Sequence, residues 1–209
     1  MSLRNLIFKS FYIIGYIFHY ICPQVLLRIL SAIINRVYTG FISNRFAYIG
    51  NSLFQWRALS LCGCEYMKIG DKNTFEKNIQ LSARKVGSIN PKLIIGNGCL
   101  VRSGSHITTI NSIIIGNGLL TGNNVLISDN SHGDITLETL MIPPRERLVT
   151  SKGGVTIGNN VWLGNNVCVL SGVTIGDGVI VGSNSVVTHD IPSYSVAAGI
   201  PAKVIKKLK

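Results

Sequence analysis

Three features predict an all-β fold, a left-handed parallel β-helix of triangular section, for most of this 209-residue chain. An aliphatic residue returns every sixth position from Ile157 through Leu163, Val169, Ile175 and Val181 to Val187. A second register runs through Val155, Val161, Val167, Val173 and Val179. Gly158, Gly164, Gly176 and Gly182 follow the first register directly, as corners that demand positive φ would require. A period of six suits neither a helix turn of about 3.6 residues nor a strand repeat of about two, so it marks a repeat architecture. Three hexads close one coil, which puts Ile157 beneath Ile175, Leu163 beneath Val181 and Val169 beneath Val187, about 4.8 Å apart. That winding is a known exception to the right-handed crossover rule. About five coils are expected, preceded by a helical segment and followed by a short tail.

Residues 1–50 form the first unit, apolar and basic. Two helices are expected there, over 3–21 and 24–37, with Pro23 near the start of the second. Val25, Leu26, Ile29, Leu30, Ile33 and Ile34 make an apolar stripe, with Arg28 and Arg36 off it. The apolar run from Phe11 to Cys22 is shorter than the roughly 20 residues of a membrane span, and no small-residue cleavage motif follows it. Residues 1–45 therefore either lie in a membrane interface, their cations meeting anionic lipid, or pack on the solenoid or a neighbouring subunit.

The solenoid is expected over 51–190. Ile69, Phe75 and Leu81 open it, followed by Ile95, Val101 and Ile107, then Ile115, Thr121 and Ile127. The stretch ARKVGSINPK interrupts the first pair of coils, and a two-residue insertion precedes Ile115. The register breaks at Ser128 and resumes at Val155, so 128–154 is expected as a loop extruded from one corner, where rigid repeats commonly carry function. Pro192 and Pro201 stop the hexads, and 191–209 is expected to cap the open end.

Composition narrows the partners. With 20 Lys and Arg against 9 Asp and Glu, the net charge is +11. Arg4, Lys9, Arg28, Arg36, Arg45 and Arg57 all precede the first acid, Glu65, so over half the excess sits on an acid-free apolar segment. Nucleic acid is a poor partner, since these cations are scattered and no recognition module is visible. The five Cys show neither a CxxC pair nor a disulfide framework, which points to reduced thiols in the cytoplasm and to no metal site.

His132 is the candidate catalytic residue. It stands in DNSHG, five residues past Ile127, at the one large break in the repeat. Imidazole titrates near neutrality and takes a proton from a hydroxyl that attacks an acyl carbon. Asp129, Asp134 and Glu138 are local candidates to orient it. His19 is read as interfacial, His106 as solvent-facing, His189 as structural and Cys168 as a small packing residue. No nucleophile elbow or phosphate-binding glycine loop is present.

The run IGNNVWLGNNVCVLSGVTIGDGVIVGSNSVVTHDIPSYSVAAGIPAKVIK resembles the hexapeptide-repeat acyltransferases, specifically the branch of galactoside, maltose and surface-polysaccharide O-acetyltransferases. The resemblance implies a homotrimer with acetyl-CoA lying in clefts between neighbouring prisms. It implies that His132 is the general base and that Trp162 lines the cleft. Asn165, Ser183 and Thr188 correspond to positions that contact the cofactor. Lys203 and Lys206 correspond to cations for its phosphates, with Ala198 and Gly199 in the adjoining turn. No metal and no covalent enzyme intermediate are implied.

The chain departs from the galactoside type at Arg102, where that type has an amide, and at Ile110, where it has an acid. Its apolar, basic N-terminus also replaces the usual cap. These departures favour a cell-surface glycan or its lipid-linked precursor over a free sugar, with the enzyme at the inner face of the membrane. Arg102 and Asp129 are the candidate acceptor contacts. Two other readings stand beside this one: N-acetyl transfer to an amino sugar or antibiotic, and a non-catalytic trimeric scaffold.

Overall fold

The computed structural model describes residues 3–21, 24–134 and 136–208. Pro23 lies outside them. The chain winds repeatedly over three sheets of parallel strands. The first face stacks Tyr48–Ile49, Met67–Ile69, Lys92–Ile95, Ser112–Ile115, Val155–Ile157 and Thr174–Ile175. The second stacks Leu53–Phe54, Thr74–Phe75, Leu100–Val101, Leu120–Thr121, Trp162–Leu163 and Ile180–Val181, then Ser195–Gly199 and Ala202–Lys207. The third stacks Ser60–Cys62, Gln80–Ala83, His106–Thr109, Leu126–Ser128, Cys168–Val169 and Val186–Val187.

The expected stacking is present: Ile157 pairs with Ile175, Leu163 with Val181 and Val169 with Val187. On the first face the inward column continues as Ile49, Ile69, Ile95, Ile115, Ile157 and Ile175. On the third it is Leu61, Leu81, Ile107, Ile127, Val169 and Val187. Nearly all these side chains are fully buried, so one continuous apolar column drives the coil. Thr121 is the polar exception, and its hydroxyl accepts from Arg102 N at 2.9 Å.

The first and third faces each hold six strands, one coil more than the five or so expected. The additional coil spans Tyr48 to Cys62. Its inward residues Ile49, Phe54 and Leu61 are not evenly spaced by six, so periodicity passes over them. Phe54 stacks on Phe75 with ring centroids 4.3 Å apart, which packs this coil on the next.

The corner chemistry differs from the expectation as well. Positive φ falls three residues past the inward position, as at Asn160 (φ 55°), and not at the glycine. Gly158 is needed for close approach instead. A Cβ there would lie 2.4 Å from Asp177 Oδ1 and 2.9 Å from Gly176 C, on the next coil. The room is taken by a hydrogen-bond ladder in which each corner N–H donates to the side chain above: Asn97 to Asn117, Asn117 to Asn159, and Asn159 to Asp177.

Helix α1 covers Leu3–Ile21 and α2 covers Gln24–Ser43. The second outruns its expected end because its last turns pack on the first coil. Thr39 Oγ1 accepts from Phe54 N at 2.9 Å, Asn35 Oδ1 accepts from Trp56 N at 2.8 Å, and Ile42 is buried. Helix α1 and the first turns of α2 expose Phe8, Phe11, Phe18, Leu27 and Ile33. At the other end Ser195–Gly199 joins the second face, and Ala202–Lys207 folds back on it antiparallel.

The segment 128–154 leaves the prism as an arm. Its base is a two-stranded antiparallel pairing of Ser131–His132 with Val149–Thr150, and a short helix α3, Leu137–Leu140, lies within it. Thr136 caps α3 through its hydroxyl, 3.2 Å from Thr139 N.

Candidate active site

His132 is exposed at the root of the arm, in register with Val149. It lines a cavity of about 490 Å³, within the range of small-ligand sites. One wall is the arm, with Asn130, Leu140 and Arg147; the other is the prism, with Leu170, Ser171 and Thr188. Thr188 is thus brought beside His132, its hydroxyl 2.8 Å from His189 Nδ1. Among the described residues no carboxylate bonds the His132 ring. Asp134 Oδ1 accepts from Thr150 Oγ1 at 3.3 Å, and Glu138 is exposed on α3.

Asp129 does not face the cavity. It is fully buried, and its carboxylate accepts from Ile110 N at 2.9 Å, Asn111 N at 3.0 Å and the Thr109 hydroxyl. It braces the corner from which the arm departs. Its use is internal, as expected of a buried charge that is well hydrogen-bonded.

Arg102, Trp162, Asn165 and Ser183 gather around a different concavity of about 260 Å³, between the second and third faces. Arg102 is paired there with Glu76, Nε to Oε1 3.5 Å. Asn165 and Ser183 belong to a corner ladder: Asn123 N donates to Asn165 Oδ1 at 2.8 Å, and Asn165 N donates to Ser183 Oγ at 3.1 Å. Trp162 is half exposed on the outer face. Its register partner is Ile180, then Val196, then Lys206, so one outward row ends on a tail cation. Ala198 pairs with Lys203 and Gly199 with Ala202 in the same hairpin. Within the chain the His132 cavity and the Trp162 row are lined by different residues.

Sequence reasoning missed Leu170, Ser171, Arg147 and Asn130, whose placement depends on how the arm folds back. His106, expected to face solvent, is half-buried in a second cavity that His132 also lines. Burial pushes its pKa down, and the nearby Arg84 guanidinium pushes it further. Cys168 lies on the outer face, half-buried, and not in the core.

A solenoid of hexad coils with a histidine at the root of an extruded arm is similar to what the hexapeptide-repeat transferases present. Residues 154–189 match the family model of the bacterial transferase hexapeptide (six repeats). The chain is 48% identical over 106 residues to the putative lipopolysaccharide biosynthesis O-acetyl transferase WbbJ of Escherichia coli (strain K12), covering 49% of this chain and 54% of that protein. It is 37% identical over 128 residues to the galactoside O-acetyltransferase of the same organism, covering 57% and 60%. The resemblance read from the sequence is borne out, although the chain spans only a little over half the length of these relatives. A mutant form of AntD, an N-acyltransferase from Bacillus cereus in complex with dTDP and Coenzyme A, shares the fold with a TM-score of 0.64 at 20% identity, over 78% of this chain and 85% of that one.

Proposed function

We propose that the chain, wound as a left-handed β-helix, transfers the acetyl group of acetyl-CoA to a sugar hydroxyl of a bacterial surface polysaccharide or its lipid-linked precursor. The observation that carries this reading is the exposed His132 imidazole, which lines two cavities of about 490 and 270 Å³, room for a sugar and for an incoming acyl donor. His132 takes the proton of the acceptor hydroxyl as its oxygen attacks the thioester carbonyl. The tetrahedral intermediate collapses with loss of the coenzyme A thiolate, which takes that proton from His132 and leaves as the thiol. The row from Trp162 through Ile180 and Val196 to Lys206 offers an apolar track that ends on a cation, which suits a pantetheine arm and a phosphorylated nucleotide. Transfer to oxygen is favoured because both relatives reported above are named O-acetyltransferases.

The separation of His132 from Trp162 within one protomer supports a homotrimer, in which the arm of one prism meets the second face of its neighbour. The N-terminal helices support a place at the inner face of the membrane. Gln24–Ser43 is long and apolar enough to cross a bilayer by length and composition. Its turns from Asn35 onward are bonded to the first coil, however, and the remaining eleven residues reach only about 16 Å of the roughly 30 Å needed. Interfacial seating fits this geometry, with Arg4, Lys9 and Arg28 meeting anionic headgroups. Free thiols at Cys62, Cys64, Cys99 and Cys168 accord with the cytoplasm.

The test is His132→Ala, assayed by mass spectrometry for one added acetyl group on free and lipid-linked glycans. Transfer should fall by about three orders of magnitude while acetyl-CoA binding persists. Unchanged turnover removes the catalytic assignment.

A further inference from the structure

The cavity shared by His132 and His106 holds about 270 Å³ on the outer face of the third sheet. Its floor is polar: Gln80 is the register partner of His106, and Ser82 that of Thr108. Arg84 stands at the rim, on the segment that interrupts the early coils, and Asn130 reaches in from the arm.

Ser82 is the unusual member. Its side chain is 7% exposed, and its hydroxyl oxygen is the one buried side-chain polar atom among the described residues without a hydrogen-bond partner. Buried polar groups are almost always paired, so an orphan hydroxyl at the wall of a cavity is a candidate partner for a bound group. Arg84 is the second observation. No Asp or Glu lines this cavity, and among the described residues the ion pair belongs to Arg102 and Glu76 instead. Arg102, expected from the sequence to contact the acceptor, is therefore already paired, in another groove. Arg84 keeps an uncompensated charge within electrostatic reach of His106.

We propose that the acceptor sugar carries an anionic group, a carboxylate or a phosphate, which seats between the Arg84 guanidinium and the Ser82 hydroxyl and so presents a neighbouring hydroxyl to His132. This rests on the reading of His132 as the base. A guanidinium offers a forked pair of donors to such a group, and Ser82 supplies the hydroxyl donor that a buried anion needs. The volume lies just under the usual range for ligand cavities, which suits one sugar unit.

Binding is measured without turnover. Methyl β-glucuronide, glucose 1-phosphate and methyl β-glucoside are titrated into the full chain, and the His106 imidazole resonance is followed by NMR. At least one charged sugar should bind about tenfold tighter than the glucoside, and the tighter of the two names the group. Arg84→Gln should abolish that preference and Arg84→Lys should restore part of it. Ser82→Ala should weaken the charged sugar by about threefold or more while the melting temperature holds or rises, since an orphan hydroxyl is removed. Equal binding of all three sugars, or a preference that survives Arg84→Gln, overturns the proposal. Failure of the His132→Ala assay overturns only the catalytic reading, because this titration involves no transfer.

Discussion

The Ser171 hydroxyl donates to the Asp129 carbonyl oxygen at 2.9 Å and lies 3.1 Å from that of Gly153. One side chain on the prism thus holds both the exit and the return of the arm that carries His132. Lys152 N adds a third bond to the same hydroxyl oxygen at 2.9 Å. Ser171→Ala should cost about 0.5–1.5 kcal/mol of stability, yet lower turnover at least several-fold because His132, the proposed base, loses its fixed position. Hydrogen exchange should quicken at the backbone amides of 129–153. Unaltered exchange there would remove the clamp from the mechanism.

Asp129 serves the same corner from within. Replacing it with Ala strands the N–H groups of Ile110 and Asn111 and the Thr109 hydroxyl. The expected loss is about 3 kcal/mol or more in urea unfolding. A variant of native stability that fails only in acceptor binding would instead make Asp129 a groove residue.

His106 gives a pH dependence of definite sign. Its folded pKa lies below the ordinary value of 6.5, through burial first and Arg84 second. The unfolded chain therefore binds this proton more readily, and stability falls as pH drops below 6.5 toward the folded value. At neutral pH both states are largely deprotonated here and the effect vanishes. In unfolding measurements from about pH 7 to about pH 5, His106→Gln should lose less stability than the parent chain. Parallel curves would show that His106 titrates as it does in the unfolded chain.

Trp162 and His132 test the assembly. If each site takes its histidine from one protomer and its tryptophan from the next, His132→Ala and Trp162→Ala are each inactive alone. Mixed as equal parts and reassembled, they should recover about a quarter of parental activity, since a quarter of the interfaces join two intact residues. No recovery on mixing would place both residues in a site within one chain.

Much of the later fold was legible because a single physical demand repeats there. Each hexad must turn an aliphatic side chain inward, and from Val155 to Val187 nothing interrupts it. The first coil was not legible, because Ile49, Phe54 and Leu61 meet the same demand through corners of unequal length. The glycines were seen, but their reason was not. Periodicity marks Gly158 as a corner residue, and only the neighbouring coil reveals that Asp177 and Gly176 occupy the space of its Cβ.

The candidate site divides in the same way. His132 could be found from sequence, since it stands where the register stops. Arg84, Ser82 and His106 could not, because polar residues on the outer face of a solenoid carry no periodic signature. By itself the sequence determined the solenoid, the inward columns, the break at Ser128 and the apolar, acid-free N-terminus, all of which are consequences of local pattern. Tertiary structure alone decided that Asp129 turns inward and Arg102 pairs with Glu76. It also decided that Ser82 is left unpaired in the cavity that His132 lines. Those outcomes depend on which coil lies above and how the arm folds back, and contacts between residues far apart in sequence leave no mark on its periodicity.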